Sequence, residues 1–252
     1  MNSQYLERQT PYTIFDLTEW TVSELNRVSL ELEGSSPELL LRWGFENFAP
    51  DIVQATGFGP EGVVLMHMAS ELRPETKVFY LDTGLLFQET YELRDALVRR
   101  LGIRFERVST DLSLGEQAAR YGDALWQSDP DSCCHLRKVV PQRAYLSHYR
   151  AWITGIRRDQ TIFRANTPLV EWDLANKMVK LNPLAGWTND RVWAYIRQYD
   201  LPYNTLHDQG YPSIGCWPCT RAVAPGEDPR SGRWSGTQKT ECGIHLKPLK
   251  RD

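Results

Sequence analysis

The sequence predicts an α/β fold, a mostly parallel sheet flanked by helices, and three observations carry that prediction. Short apolar runs alternate with longer segments of helical spacing, a glycine-rich turn joins a strand to a helix near residue 57, and no internal repeat or low-complexity tract interrupts the alternation. Strands separated by helical crossovers return to one sheet in the same direction, hence the parallel expectation.

Ser36-Pro37-Glu38 reads as a helix start. Serine caps, proline suits the first helical position, and Leu39, Leu40 and Trp43 follow at helical spacing. Asp51 to Thr56 is a short strand, Gly57-Phe58-Gly59-Pro60-Glu61-Gly62 breaks it, and a helix is predicted over 63–72. Lys77 to Leu81 is a second strand, Glu89 to Leu101 a helix, and Phe105 to Val108 a third strand. Trp152-Ile153-Thr154-Gly155 and Met178-Val179-Lys180-Leu181 add strands. Thr188 opens a helix reaching about Tyr199, and residues 202–236 read as loop-rich.

The 252 residues, 41% hydrophobic and 24% charged, suffice for one large domain or two small ones. The opening Met1-Asn2-Ser3-Gln4-Tyr5-Leu6-Glu7-Arg8 has no basic stretch leading into an apolar run, so no secretory signal is expected. No apolar run approaches the roughly twenty residues that cross a bilayer, so no membrane partner is expected, and a reducing cytoplasm is the predicted compartment. A net charge of −3 offers no global basic field for nucleic acid. Locally the balance reverses: Arg230, Arg233, Lys239, Lys247, Lys250 and Arg251 face only Glu241 and Asp252 in the last segment, which favours an anionic substrate there.

The cysteines divide into four and one. Cys133 and Cys134 are adjacent, Cys216 and Cys219 form a Cys-x-x-Cys turn, and Cys242 stands alone in Glu241-Cys242-Gly243-Ile244-His245. Adjacent cysteines rarely reach disulfide geometry, and five in this length is far below the density of a disulfide scaffold. The four suit either structural zinc or an iron-sulfur cluster, and spacing leaves both open. The polar surroundings of Cys242 suit a reactive thiol.

In such a sheet ligands bind beyond the carboxyl ends of the strands. Three loops qualify: Thr56 to Gly62, where Gly57 and Gly59 let backbone N–H groups approach an anion; Leu81-Asp82-Thr83-Gly84; and Gly155-Ile156-Arg157-Arg158-Asp159-Gln160. The first is neither a dinucleotide fingerprint nor a lysine-bearing phosphate loop, so it suits a nucleotide site and a plain turn equally.

Several ordered blocks resemble the assimilatory adenylyl-sulfate (adenosine 5'-phosphosulfate) reductases of bacteria, relatives of the 3'-phosphoadenylyl-sulfate reductases. They are Leu81-Asp82-Thr83-Gly84, Cys133-Cys134-His135-Leu136-Arg137-Lys138, Trp152 to Gln160, Leu201-Pro202-Tyr203-Asn204, Gly210 to Arg221, and Lys239-Thr240-Glu241-Cys242-Gly243-Ile244-His245. The resemblance spans roughly Thr56 to His245 and implies an adenine-nucleotide alpha-hydrolase-like fold.

It further implies that Cys133, Cys134, Cys216 and Cys219 hold a [4Fe-4S] cluster. Cys242 would attack the sulfur of adenosine 5'-phosphosulfate to form an S-sulfocysteine, and thioredoxin would release sulfite. Thr56, Gly57, Gly59, Asp82, Thr83, Gly84, Lys138, Arg157, Arg164, Arg230, Arg233 and His245 are the implied substrate-binding positions. Lys138 and the last-named arginines would meet the sulfate or phosphate oxygens. Gly57 stands where relatives often carry serine, Leu85 where many carry arginine, and the Arg233-Trp234-Ser235 stretch lacks a longer tryptophan run. Ten residues follow Cys242, so the reductant is expected to be a separate protein.

The predicted organisation is an N-terminal extension with a helix (1–36), a nucleotide-binding α/β domain carrying the cluster (37–229) and a mobile segment with the catalytic cysteine (230–252). The alternatives are the 3'-phosphorylated substrate or both nucleotides, a zinc-stabilised nucleotide-binding module, and an adenylating sulfur-transfer enzyme acting on RNA. The last should carry Ser-Gly-Gly-x-Asp-Ser where this chain has Thr56-Gly57-Phe58-Gly59-Pro60-Glu61. Oligomeric state, homo-oligomers included, is left open.

Overall fold

The computed structural model describes residues 20–245. Expectations placed on the first nineteen residues and on Lys247, Lys250, Arg251 and Asp252 lie outside the described residues. Six strands, β1 (Ile52–Thr56), β2 (Lys77–Leu81), β3 (Phe105–Val108), β4 (Ala151–Ile153), β5 (Val170–Asp173) and β6 (Met178–Leu181), form one sheet in the order β3-β2-β1-β4-β6-β5. All neighbours pair in parallel except β5 with β6. The predicted strands are present, and the mostly parallel sheet is as expected.

The sequence reading missed β5. Its half-buried Val-Glu-Trp-Asp pattern is weakly strand-like, and a hairpin makes it. Asp173 Oδ1 accepts the N–H groups of Ala175 and Asn176 at 3.0 and 3.2 Å, and Lys177 turns the chain with φ 54°. Glu171 on β5 then pairs with buried Lys180 on β6 at 3.0 Å.

The helices follow from their caps. α1 (Val22–Glu31) opens on a Thr21/Glu24 capping box, and α2 (Pro37–Phe48) on Ser36, whose side chain accepts the Leu39 N–H at 3.3 Å. α3 spans Pro60–Leu72, three residues earlier than predicted, because Pro60 occupies the first helical position behind Gly59. α4 (Gln88–Leu101) ends at Gly102, whose φ of 68° completes a left-handed stop. α5 (Leu114–Tyr121), α6 (Leu125–Ser128), α7 (Pro130–Cys134) and α8 (Val140–Leu146) follow β3, with a π-helical turn over His135–Val139 between the last two. α9 (Asn189–Gln198) starts behind Thr188 as expected. None of the described helices is long and apolar enough to cross a membrane.

The sheet buries both faces. One carries the large core, in which Leu25, Leu41, Phe48, Val64, Leu97 and Ile196 from five helices cover Ile52, Val78, Ile153 and Val179. The alternate strand residues Val53, Phe79, Trp152 and Met178 form a smaller core with Leu146, packed by Tyr145 and by Ile244 of the C-terminal segment. Strand order reverses between β1 and β4, so a crevice lies beyond their carboxyl ends, where doubly wound sheets bind ligands.

Candidate active site

Thr56 to Gly62 forms the β1 side of the crevice. Thr56 Oγ1 accepts the Phe58 N–H at 3.0 Å, and Phe58 is buried with φ 60°, an uncommon conformation for an aromatic residue. α3 packs directly beneath: a Cβ on Gly62 would stand 2.6 Å from Thr56 Oγ1. The α3 N-terminus has no side-chain cap, leaving its first N–H groups available to an anion. Open space surrounds the Cβ position of Gly57, so a serine there meets no obstacle.

From α3, Glu61 starts a polar chain across the crevice. Its Oε1 accepts Arg157 Nε and Gln160 Nε2, both at 2.9 Å. Buried Arg157 also donates to Asp159, to Asn189 Oδ1 at 3.3 Å and to the Trp187 carbonyl at 3.5 Å. Its donors are thus committed to protein acceptors, which makes it a brace for the loop after β4. Gln160 Oε1 accepts from Arg164. Arg164 in turn grips Glu241 through two parallel bonds, Nε to Oε1 at 3.0 Å and a terminal nitrogen to Oε2 at 2.7 Å. Arg230 reaches the same Oε2 at 3.5 Å and donates to the Thr240 carbonyl at 2.9 Å.

The four paired cysteines meet on the other side. Asp129 caps α7 by accepting the Ser132 N–H at 2.9 Å, and Cys133 and Cys134 end that helix, buried. The π-helical turn that follows carries Arg137 and Lys138, consistent with the association of such turns with functional sites. Cys216 and Cys219 occupy a 3₁₀ turn held by the Cys219 N–H to Cys216 carbonyl bond at 3.0 Å. All four line one pocket, with Thr83, Leu85, Trp126, Arg137, Lys138 and Trp234 around them.

Asp82-Thr83-Gly84 serves this pocket. Thr83 Oγ1 accepts the Leu85 N–H and lies 3.2 Å from Cys216 Sγ, to which its proton can be donated. Asp82 accepts from the Gly84 N–H at 2.9 Å, Tyr91 at 2.8 Å and Arg107 at 2.6 Å, so its carboxylate is occupied in shaping the turn. Arg137 donates to the Thr83 carbonyl at 2.6 Å, to Leu112 and to Gln117.

Electrostatics separates the thiols. Burial, reinforced by the neighbouring sulfurs, pushes Cys133 and Cys219 up to about 11 and raises Cys134. Burial would also raise Cys216, but the Lys138 ammonium, the Thr83 hydrogen bond and Arg233 outweigh it and bring that thiol below its ordinary value. Lys138 is held well above the usual lysine range: burial opposes its charge, yet Cys216, Cys242 and Cys134 prevail. Burial thus favours the neutral form of Cys133, Cys134 and Cys219, and a bound metal's charge would be needed to hold them as thiolates. The donor set fits an iron-sulfur cluster, which takes four thiolates. No three metal-ligating side chains among the described residues are close enough to share one ion. All five cysteines are free thiols.

Cys242 lies between the two assemblies, half-buried, close enough to act electrostatically on Lys138, Cys134 and Arg230. The described part of the C-terminal segment, residues 230–245, is held by side-chain contacts. Lys239 pairs with Asp131 and stands 5.6 Å from the Trp234 ring centroid, Glu241 sits in the arginine pair, and His245 stacks on Trp152. Arg233 donates to Ser213 and to the Ile214 carbonyl, both at 3.2 Å, and its buried Nε has no partner. Glu61, Gln160, Arg137, Trp126 and Glu241 were missed as site residues. Glu61 and Gln160 carried a signal as members of two of the candidate ligand loops, and Arg137 and Glu241 as chain neighbours of Lys138 and Cys242; Trp126 carried none.

Residues 51–222 match the phosphoadenosine phosphosulfate reductase domain family. The chain belongs to that family. Among phosphoadenosine phosphosulfate reductase relatives, an adenosine 5'-phosphosulfate reductase of Salinibacter ruber is 50% identical over 234 residues, covering 92% of this chain and 93% of the relative. The crystal structure of a phosphoadenylyl-sulfate reductase from Candida auris in complex with phosphate superposes with TM-score 0.70 at 33% identity, covering 81% of this chain and 98% of that one. Candida glabrata FMN adenylyltransferase, at 15% identity and TM-score 0.54 over 89% of this chain and 79% of its own, shares the fold alone. The family match ends at residue 222, before Arg230 and Cys242, whereas the Salinibacter match spans nearly the whole chain.

Proposed function

We propose that the chain is a reductase of adenosine 5'-phosphosulfate that yields sulfite and AMP in the cytoplasm, as part of sulfate assimilation, through a sulfonated Cys242. One observation carries the reading: the lone thiol is within electrostatic reach of Lys138 and next in sequence to a carboxylate clasped by Arg164 and Arg230. A nucleophile is thereby set among cations able to hold a sulfuryl group and the phosphate it leaves.

In this reading the crevice loop around Thr56, Gly57 and Gly59 receives the nucleotide. The Cys242 thiolate attacks sulfur, the sulfur–oxygen bond to AMP breaks, and the sulfonate remains on Cys242. Lys138, Arg164, Arg230 and Arg233 hold the oxygens. A thiolate of thioredoxin then attacks Cys242 Sγ and displaces sulfite, and the second thioredoxin thiol resolves the mixed disulfide. The dithiol thus supplies the two electrons. Cys133, Cys134, Cys216 and Cys219 would hold a [4Fe-4S] cluster, which would order this wall of the site, and with its four thiolates would be an anionic group for Lys138 and Arg233 to balance. Thr83 and Lys138 brace its Cys216 ligand.

Incubation with adenosine 5'-phosphosulfate and no reductant should add one SO₃ to the Cys242 peptide by mass spectrometry, and reduced thioredoxin should discharge it as sulfite. An adduct on another cysteine, or none, overturns the reading. The 3'-phosphorylated nucleotide is the second substrate to compare, because the Candida auris neighbour is a phosphoadenylyl-sulfate reductase. Competition between the two nucleotides decides.

A further inference from the structure

The geometry points to Glu241 as a resident anion. Its carboxylate occupies, in the nucleotide-free protein, the subsite that takes the substrate's oxyanion, so that Glu241 and the substrate compete for Arg164 and Arg230. This deepens the function proposed above and rests on it.

Glu241 is the acidic residue in an otherwise basic stretch from Arg230 to His245, and its side chain is only 9% exposed. It meets Arg164 fork to fork, at 3.0 and 2.7 Å, and Arg230 at 3.5 Å. An arginine fork binds sulfate and phosphate oxygens through the same two parallel donors that it offers a carboxylate, so the two anions are interchangeable in kind. The arginines also need one of them. Burial works against the Arg230 charge, Arg233 and Arg164 add repulsion, and Glu241 relieves it. Cations buried this closely without an anion would be costly, which makes exchange of occupants more favourable than departure.

The exchange moves the nucleophile, because Cys242 is the next residue. Contacts on both sides keep the segment from leaving: Lys239 with Asp131 before it, and Ile244 and His245 against the smaller core after it. Displacing Glu241 therefore re-aims Cys242 without undocking the segment. It also lowers the apparent affinity for substrate by the fraction of molecules in which Glu241 holds the fork.

The anaerobic full-length protein is treated with iodoacetamide and Cys242 alkylation is followed by peptide mass spectrometry. Sodium sulfate should accelerate alkylation about threefold or more over sodium chloride at equal ionic strength, and Glu241→Gln should be fast with or without sulfate. In the Cys242→Ser background, where no sulfur transfer occurs, Glu241→Gln should bind adenosine 5'-phosphosulfate about threefold or more tightly than its Glu241 parent. Alkylation of wild-type protein that ignores sulfate, or weaker binding by Glu241→Gln, overturns the competition. The sulfate effect on wild-type protein needs no variant to fold. A sulfate effect without a Cys242 sulfonate adduct would sink the catalytic reading and leave the competition standing, and the converse holds.

Discussion

His245 stacks on Trp152, with ring centroids 5.4 Å apart and planes 17° from parallel. Trp152 lies at the centre of the sheet on β4, fully buried, and Lys180 Nζ stands 5.7 Å from the same ring centroid. The C-terminal segment is therefore anchored on the sheet itself.

That anchor titrates. Burial, then the charges of Lys180, Arg164 and Arg230, hold His245 well below the ordinary imidazole value of 6.5. A freed segment would restore that ordinary value, so docking is at full strength above it and weakens as pH falls through it. Amide exchange of residues 242–245 should be slow near pH 8 and faster near pH 5.5 relative to the intrinsic rate, and His245→Phe should flatten the dependence. Equal protection at both values in wild-type protein would refute the anchor.

Changing Cys133, Cys134, Cys216 or Cys219 singly to Ser should lower bound iron and sulfide and remove turnover, because a hydroxyl is a poor ligand for soft metals. Iron and acid-labile sulfide of anaerobically purified variants check this. Four iron-replete, active variants would return the pocket to a purely structural role.

Cys242→Ser should behave differently. The thiol lines no part of the cysteine pocket, so iron content and nucleotide binding should match wild type while sulfite production disappears. Metal analysis and a sulfite assay on one preparation read both, and loss of iron would contradict the separation.

Neutralising Lys138, Arg164 or Arg233 to Ala should reduce kcat/KM by about tenfold or more, equivalent to at least roughly 1.4 kcal/mol of transition-state stabilisation. Arg157→Ala should act instead through stability, because its partners Glu61, Asp159 and Asn189 are all protein groups. Urea unfolding and steady-state kinetics separate the two behaviours.

Gly62→Ala tests the crevice floor. The added methyl would approach Thr56 Oγ1 to 2.6 Å, and Thr56 also holds the Phe58 N–H. Overpacking of this kind costs about 1–3 kcal/mol, so the urea midpoint should fall and KM for the nucleotide should rise. Gly57→Ser, in open space, should leave stability unchanged.

Local chemistry made much of this protein legible. Ser36 and Thr188 announce helix starts because capping is settled within four residues, and the central strands announce themselves because burial on both faces makes them continuous apolar runs. The division of the cysteines into four and one was likewise readable, since thiolate chemistry depends first on residue type and spacing. β5 was not, because an edge strand of mixed polarity exists only once β6 offers it a partner. Nor were the roles of individual polar residues. Arg157 and Arg164 are seven positions apart with the same side chain, yet one is consumed by Glu61 and Asp159 and the other by the residue beside Cys242. Thr83 faces a cysteine 133 positions away, and Glu241 meets an arginine 77 positions away. Sequence determines which groups can donate, accept or ionise, but the fold determines which of them meet and how far water is excluded. Those two quantities set hydrogen bonds and pKa values, so only the tertiary structure could decide which cations are free to bind a substrate.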